Sequence, residues 1–227
     1  MHSNAFPFEY LVFLLPLIFM AVVLTVIFMV SSRRRTKLVA MARALNLTYS
    51  DPMGEIAPGG YQAPGAAEPG FIKKLIAAFS NSWKMKGDYG SRKVSIKAVV
   101  RGSGKNKTVY TNILVPFDKP LDLGLRIYTE NFFSKIGKNV FQTQDIQIGD
   151  PAIDELVMIK GSSESEIKSL LAGTQAREAV RALFTAGKEF RIEDEGIIFE
   201  RQGVITKEEE VRKHLDHMVT AASRFEF

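Results

Sequence analysis

The chain contains no cysteine. Disulfides, thiolate nucleophiles and cysteine-ligated zinc are therefore excluded, in keeping with a reducing compartment. Histidine is nearly as scarce, with three in 227 residues, which leaves few groups for proton transfer near neutral pH. No Lys or Arg precedes Arg33, and no charge of either sign falls between Glu9 and Arg33. No GxSxG nucleophile motif is present.

That uncharged interval is also the most apolar part of the chain. Residues 10–30 read YLVFLLPLIFMAVVLTVIFMV. As a helix they reach about 31 Å, enough for the hydrocarbon layer of a bilayer. Pro16 lies one to two turns inside, where membrane helices tolerate proline. A cleaved signal peptide needs basic residues before its apolar run; here Arg33, Arg34, Arg35 and Lys37 follow it instead. The expectation is an uncleaved single span in the inner (plasma) membrane. By the positive-inside rule, the tail at 1–9 lies outside and the rest lies in the cytoplasm.

The net charge of +5 is unevenly spread. Residues 31–108 hold fifteen Lys/Arg and four Asp/Glu, whereas 109–227 hold fifteen and twenty. Positive charge thus gathers beside the span, where anionic lipid headgroups attract each residue by about 1 kcal/mol. No nucleic-acid recognition motif accompanies it, and nucleic acid is not an expected partner.

Beyond the span, residues 31–50 are expected to continue as a basic juxtamembrane helix with Leu38, Val39, Met41, Ala42 and Leu45 on one side. Residues 51–70 hold four prolines and five glycines and read as a linker. Residues 71–227 are then one α+β domain. In it, Ile72, Leu75, Ile76, Phe79 and Trp83 fall on one face of a helix over 71–86. That face packs on the domain's own sheet or, as the alternative, lies in the membrane interface with Lys73 and Lys74 toward headgroups.

Strands are expected over 93–101, 108–115, 123–129 and 156–160, and a hairpin over 190–193 and 196–201 turning at Asp194-Glu195. Helices are expected over 164–171 behind a Ser163/Glu166 capping box, over 174–186 capped by Thr174, and from the Thr206/Glu209 box to the C-terminal end. The arrangement calls for a mainly antiparallel sheet packed with three to four helices.

The motifs that could carry chemistry are incomplete. Gly102-Ser103-Gly104-Lys105 lacks the glycine and the hydroxyl residue that a phosphate-binding loop requires, since Val99 and Asn106 hold those positions. His214, His217 and Glu210 fall short of a supported metal site and read as solvated. Asp145, Asp150, Asp154 and Glu155 match no calcium-loop spacing. Asp150-Pro151 suggests a turn, and Asp154 suggests a cap. No catalytic residue, cofactor or metal is expected.

The stretches RRRTKLVAMARALNLTYS at 33–50 and DIQIGDPAIDELVMIKG at 145–161 resemble uncharacterised bacterial single-pass membrane proteins with a cytoplasmic α+β domain. In plan the chain is also similar to the H subunit of purple bacterial reaction centres, which has one N-terminal span and a β-rich cytoplasmic domain covering its partners. An anchor, a compact domain and no recognisable reactive constellation lead to the expectation of a non-enzymatic accessory or assembly subunit of a larger inner-membrane complex, energy-transducing, respiratory or photosynthetic. Its partners would be integral membrane subunits, and Phe13, Phe19 and Phe28 would pack against their helices. The alternatives are a peripheral anionic-lipid sensor working through 71–86 and, third, a membrane-tethered enzyme. The membrane-interface residues under either of the first two readings are Arg33, Arg34, Arg35, Lys37, Lys73, Lys74 and Trp83.

Overall fold

The computed structural model describes residues 8–59, 70, 72–74, 77, 80–130 and 145–225. It opens with α1 (Phe8–Ala44), a single helix of 37 residues and about 55 Å. The helix has two halves of different chemistry. Side chains 14–30 are exposed except for the half-buried Ile27, and this half is apolar on all sides. By length and composition α1 is a candidate membrane span. One to two turns later, Leu38, Val39, Met41, Ala42 and Leu45 are buried in the core of the folded domain. Their spacing of one, three, four and seven makes one helical face.

The helix stops at a Schellman motif. Leu47 N donates to Ala42 O at 2.8 Å and Asn46 N donates to Arg43 O at 3.1 Å, with Asn46 in the left-handed region at φ 56°. Arg212 from the last helix donates to Ala44 O, placing a cation at the negative end of the helix.

The sheet has nine strands: β1 (Thr48–Asp51), β2 (Gly54–Ile56), β3 (Lys84–Tyr89), β4 (Arg92–Arg101), β5 (Thr108–Pro116), β6 (Arg126–Tyr128), β7 (Met158–Lys160), β8 (Phe190–Glu193) and β9 (Gly196–Gln202). Their order is β2-β1-β3-β4-β5-β9-β8-β6-β7, and every pairing is antiparallel. Four helices follow α1 among the described residues: α2 (Pro151–Asp154), α3 (Glu164–Leu170), α4 (Thr174–Ala186) and α5 (Glu208–Phe225). The fold is α+β, one long apolar helix followed by an antiparallel sheet with helices, as the sequence pattern requires.

The two sheet faces differ. Met85, Ile96, Ile113, Ile127, Ile192, Ile197 and Phe199 are buried beside the apolar stripes of α4 and α5. Tyr89 reaches across to α5, its hydroxyl 2.7 Å from Asp216 Oδ1. Alternate residues point to the other face and are polar. There Glu200 accepts from Arg101 Nη2 at 2.9 Å and from Asn112 Nδ2 at 3.3 Å. Arg191 lies 3.3 Å from Glu193 and 4.0 Å from Glu200. Asp194, in the β8–β9 turn, accepts backbone N–H groups of Leu123, Gly124 and Leu125. At the far side of that turn Gly196 is required, because a Cβ there would meet Val115 O at 2.3 Å.

Several sequence-based expectations need correction. Residues 51–56 are part of the sheet: Pro52 and Met53 form the two-residue loop joining β1 to β2, and Asp51 Oδ1 accepts from Met53 N at 2.8 Å. Residues 60–69 of the expected linker lie outside the described residues. The helix expected to reach residue 86 does not do so. Residues 72–74 and 77 are helical, 75, 76 and 79 lie outside the described residues, and 84–89 are strand. Lys84, Met85 and Lys86 alternate out, in, out, and this short run wins because Met85 pairs with Ile96 in the core. Trp83 already belongs to the ladder, since Ala98 N donates to its carbonyl at 3.1 Å. Strands β6 and β7 are shorter than expected. Asp150, not Asp154, caps α2, and Gly173, not Thr174, precedes α4 as its cap. Ser163 caps α3 without a side-chain hydrogen bond.

Asn46 offers a test of how α1 ends. A β-branched residue in the left-handed region is strained by about 1–2 kcal/mol. Asn46→Val is expected to lower the melting temperature by about 2–6 °C, while Asn46→Gly leaves it unchanged or raised. Thermal unfolding followed through the fluorescence of Trp83 measures both.

Candidate functional site: a cationic cavity where the helix enters the domain

Between the exposed and buried halves of α1, a cavity of about 210 Å³ lies against β1 and the segment leading into β3. Phe28, Ser31, Arg34 and Arg35 line it from α1, Asp51 from β1, and Lys74 and Trp83 from the segment before β3. Its position follows from the helix geometry. Arg34 and Arg35 come one turn before Leu38, so their stems leave α1 where its buried face begins.

The two arginines are held differently. Arg35 Nε lies 2.7 Å from Asp51 Oδ2, and its guanidinium sits 5.8 Å from the Tyr49 ring centroid. Asp51 also accepts from the Tyr49 hydroxyl at 3.1 Å and from Met53 N, which anchors the β1–β2 turn. Burial first, and then the Asp51 carboxylate, push the Tyr49 phenol above its ordinary range, so this hydroxyl is a donor at neutral pH. Arg34 instead donates to neutral acceptors, Asn81 Oδ1 at 2.8 Å and Ser80 O at 3.4 Å. Among the described residues lining the cavity, Asp51 is the one carboxylate and it holds Arg35.

Trp83 is 5 % exposed, and its Nε1 has no hydrogen-bond partner. An indole N–H is a donor only, and leaving a buried donor unmet costs about 1–3 kcal/mol. The cavity thus joins a guanidinium met by neutral oxygens to a tryptophan whose indole N–H is buried without a partner.

The cavity brings together Arg34, Arg35, Lys74, Trp83 and Phe28 from the residues expected to meet membrane or partner. Arg33, Lys37 and Lys73 are exposed outside it. Phe19 is 72 % exposed on α1, and the side chain of Phe13 lies outside the described residues. Trp83 is inside the core and not on an amphipathic helix face, a burial that its β-strand pairing imposes.

The other candidates have structural work. Asp145 accepts from Ile159 N at 2.7 Å, Asp154 from Ile148 N and Gly149 N, and Asp150 from Ala152 N while facing Arg177 and Arg181. No cluster of three metal-binding side chains occurs among the described residues. Glu210 is paired with Arg201. The Gly102–Lys107 stretch is the β4–β5 hairpin loop.

His214 departs from expectation: it is half-buried. Its ring stacks on Phe199 at 4.0 Å between centroids, 5.8 Å from Phe190, and its Nε2 is buried without a partner.

Comparison with protein-family models, curated proteins and solved structures returned no match for this chain.

The His214 environment has a measurable consequence. Burial, its largest influence, lowers the imidazole pKa below the ordinary value; Glu210 and Glu189 oppose this, and Arg201 and His217 add to it. The unfolded chain thus binds the proton more tightly than the folded one. The stabilisation is whole above about pH 6.5 and is lost as pH falls toward the folded value. His214→Phe keeps the stack and removes the buried nitrogens. It is expected to flatten the decline in melting temperature between about pH 7 and pH 5, read by thermal unfolding of wild type and variant side by side.

Proposed function

We propose that the protein is a non-enzymatic, membrane-anchored accessory or assembly subunit of a larger membrane complex. Its domain lies on the cytoplasmic face of the inner membrane. The observation that carries this reading is the continuity of α1. Seventeen residues with apolar side chains, 14–30, apart from Thr25, are left outside the protein's own core, and the same helix runs without a break into that core. Exposed apolar surface of this extent calls for lipid or partner helices. A helix shared by span and domain holds the domain at a fixed height and orientation, as a subunit that covers or clamps a neighbour requires.

Three further features support it. Arginines at the exit of the apolar run favour a cytoplasmic domain. The acidic groups singled out from sequence serve as backbone anchors, which leaves no assembled acid–base pair among them. The sheet also carries Lys84, Lys86 and Lys93 around a concavity of about 570 Å³ on its open side. There the neighbouring Lys86 charge is the main influence lowering the Lys84 pKa. Crowded like charges of this kind suit an acidic partner surface.

The lipid-sensor reading draws support from Lys74 and the cavity, but the buried face of α1 makes the domain inseparable from its anchor. A fragment beginning at residue 71 would lack Leu38, Met41 and Tyr49 from the core.

Purification of the full chain in mild detergents with mass spectrometry tests the subunit reading. Integral membrane proteins are expected to co-purify in constant ratio. A chain that runs alone as a monomer in every detergent overturns it.

A further inference from the structure

We infer that the domain rests directly on the bilayer that α1 crosses, through the tip of the β4–β5 hairpin and the helical turn at 72–74. Val100 and Ile72 enter the lipid interface, and Lys105 and Lys107 face anionic headgroups. The inference rests on the reading of α1 as a membrane span and goes beyond it, because it assigns the domain a lipid-facing surface of its own.

The first observation is where apolar side chains stay exposed. Among the described residues, all the exposed large apolar side chains but two lie on α1 between Leu14 and Val30; the two are Ile72, 71 % exposed, and Val100, 48 % exposed. Singly, such side chains are ordinary on a protein surface. These two lie at one end of the domain, the end from which the apolar half of α1 emerges.

For Ile72 the cavity sets the level. Lys74 and Ala77 line it together with Phe28 and Ser31 of α1, and Arg34 donates to Asn81 Oδ1 and Ser80 O. The turn at 72–74 therefore sits beside the last residues of the apolar run.

For Val100 strand register sets the level. β1 starts at the end of α1 and runs back along it, since Asp51 at its far end is bonded to Arg35. Lys84 pairs with Ser50 and with Lys97, and Ala98 N donates to Trp83 O, so β4 runs toward the exit of α1. It continues past Ala98 to Arg101, a further reach of about 10 Å. A twist of about 45° over the two steps from β1 to β4 leaves about 7 Å of that along α1. From Arg34 back to Val30 is about 6 Å. The hairpin tip thus reaches the end of the apolar run.

The tip has the chemistry of that level. The core-facing residues of β4 are Val94, Ile96, Ala98 and Val100, and their exposure grows toward the tip, so the stripe stays apolar after it has left the core. The loop at 102–107 reads GSGKNK, without Asp or Glu, and Lys105 and Lys107 are exposed. Anionic headgroups attract basic groups held at this level. The turns at the opposite end of the same strands carry Asp88, Asp118, Asp194 and Glu195. Glu208 and Glu210, which open α5, are paired with Arg212 and Arg201.

The chain has no cysteine, so a single introduced cysteine can carry a fluorescent label. The experiment uses the full chain, without other proteins, in liposomes of phosphatidylcholine and phosphatidylglycerol, with lipids spin-labelled high on the acyl chain as quenchers. Labels at I72C, V100C and S103C are expected to be quenched several-fold more strongly than one at S91C. Ser91 lies in the turn at the other end of β4, about 30 Å from Val100. A label at V22C reports the span. In phosphatidylcholine alone, or with K105Q and K107Q combined, quenching at V100C is expected to fall by about half or more. Circular dichroism checks the fold of each variant, and S103C carries the comparison should V100C fail to fold.

Quenching at V22C with I72C and V100C no different from S91C would overturn the inference and leave the span standing. No quenching at V22C would overturn the span, and the inference with it. Quenching at V100C that is unchanged in phosphatidylcholine alone would overturn the part given to Lys105 and Lys107.

Discussion

Everything in this molecule depends on one helix with two kinds of surface. Up to Val30, α1 is apolar on every side and leaves its side chains outside the fold; from Leu38 onward it buries one face in the core. Burying those five residues in the core contributes on the order of several kcal/mol, at about 25 cal/mol per Å² of apolar area. Melting the junction would forfeit that burial together with the Schellman cap and the Arg212 contact. The helix is therefore continuous through the point where a tethered domain would have a flexible linker. The domain is fixed in position relative to the exposed apolar half of α1.

The sheet follows from that position. Strand β1 and its neighbour at the sheet edge, β2, come directly from the helix end and are joined by a two-residue loop, so the chain has no slack before it enters the sheet. Helices then cover one face, and the opposite face carries ions. Glu200 is 7 % exposed and Arg191 8 %, and charges so withdrawn from water persist only when paired with good geometry. Arg101, Asn112 and Arg191 supply that pairing across four strands. This face is organised as a network, and its register is fixed by the same pairings that align the apolar face.

Much of this was legible in the sequence, for identifiable reasons. β4 and β5 alternate over many residues with a glycine-rich loop between them, and α5 carries a stripe of six buried residues from Val211 to Phe225. Such long periodic segments dominate any local competitor. The misreadings arose where two periodicities overlapped or local cues were short. Trp83 satisfied a helical spacing with Phe79, yet it also begins an alternating run, and tertiary pairing with β4 decided between them. Proline and glycine after Asp51 signalled a linker, but two of them shape a hairpin whose partners are only three or four residues long. His214 looked solvated because its neighbours Lys213 and Asp216 are charged; nothing local announces that Phe199, on a strand, lies over its ring. The cavity was half visible: its arginines, Lys74 and Trp83 could be marked as interfacial, whereas Asp51 joins them only through the fold.

The meeting of these groups has a geometric cause. Val30 and Leu38 are eight positions apart, a rise of about 12 Å, and with α1 as a span this is more than enough to clear one headgroup layer. Within that interval the helix can neither be apolar all round nor yet be buried, so its side chains must be polar and must face something. Toward bulk headgroups, Arg33 and Lys37 suffice. Toward the domain, Arg34 and Arg35 meet the wall formed by β1 and the Ser80–Trp83 segment. There a full complement of acidic partners would close the cavity and make it a plain structural ion cluster. Among the described residues that line the cavity, Asp51 is the one carboxylate; it secures one arginine and one turn, while Arg34 is met by neutral oxygens.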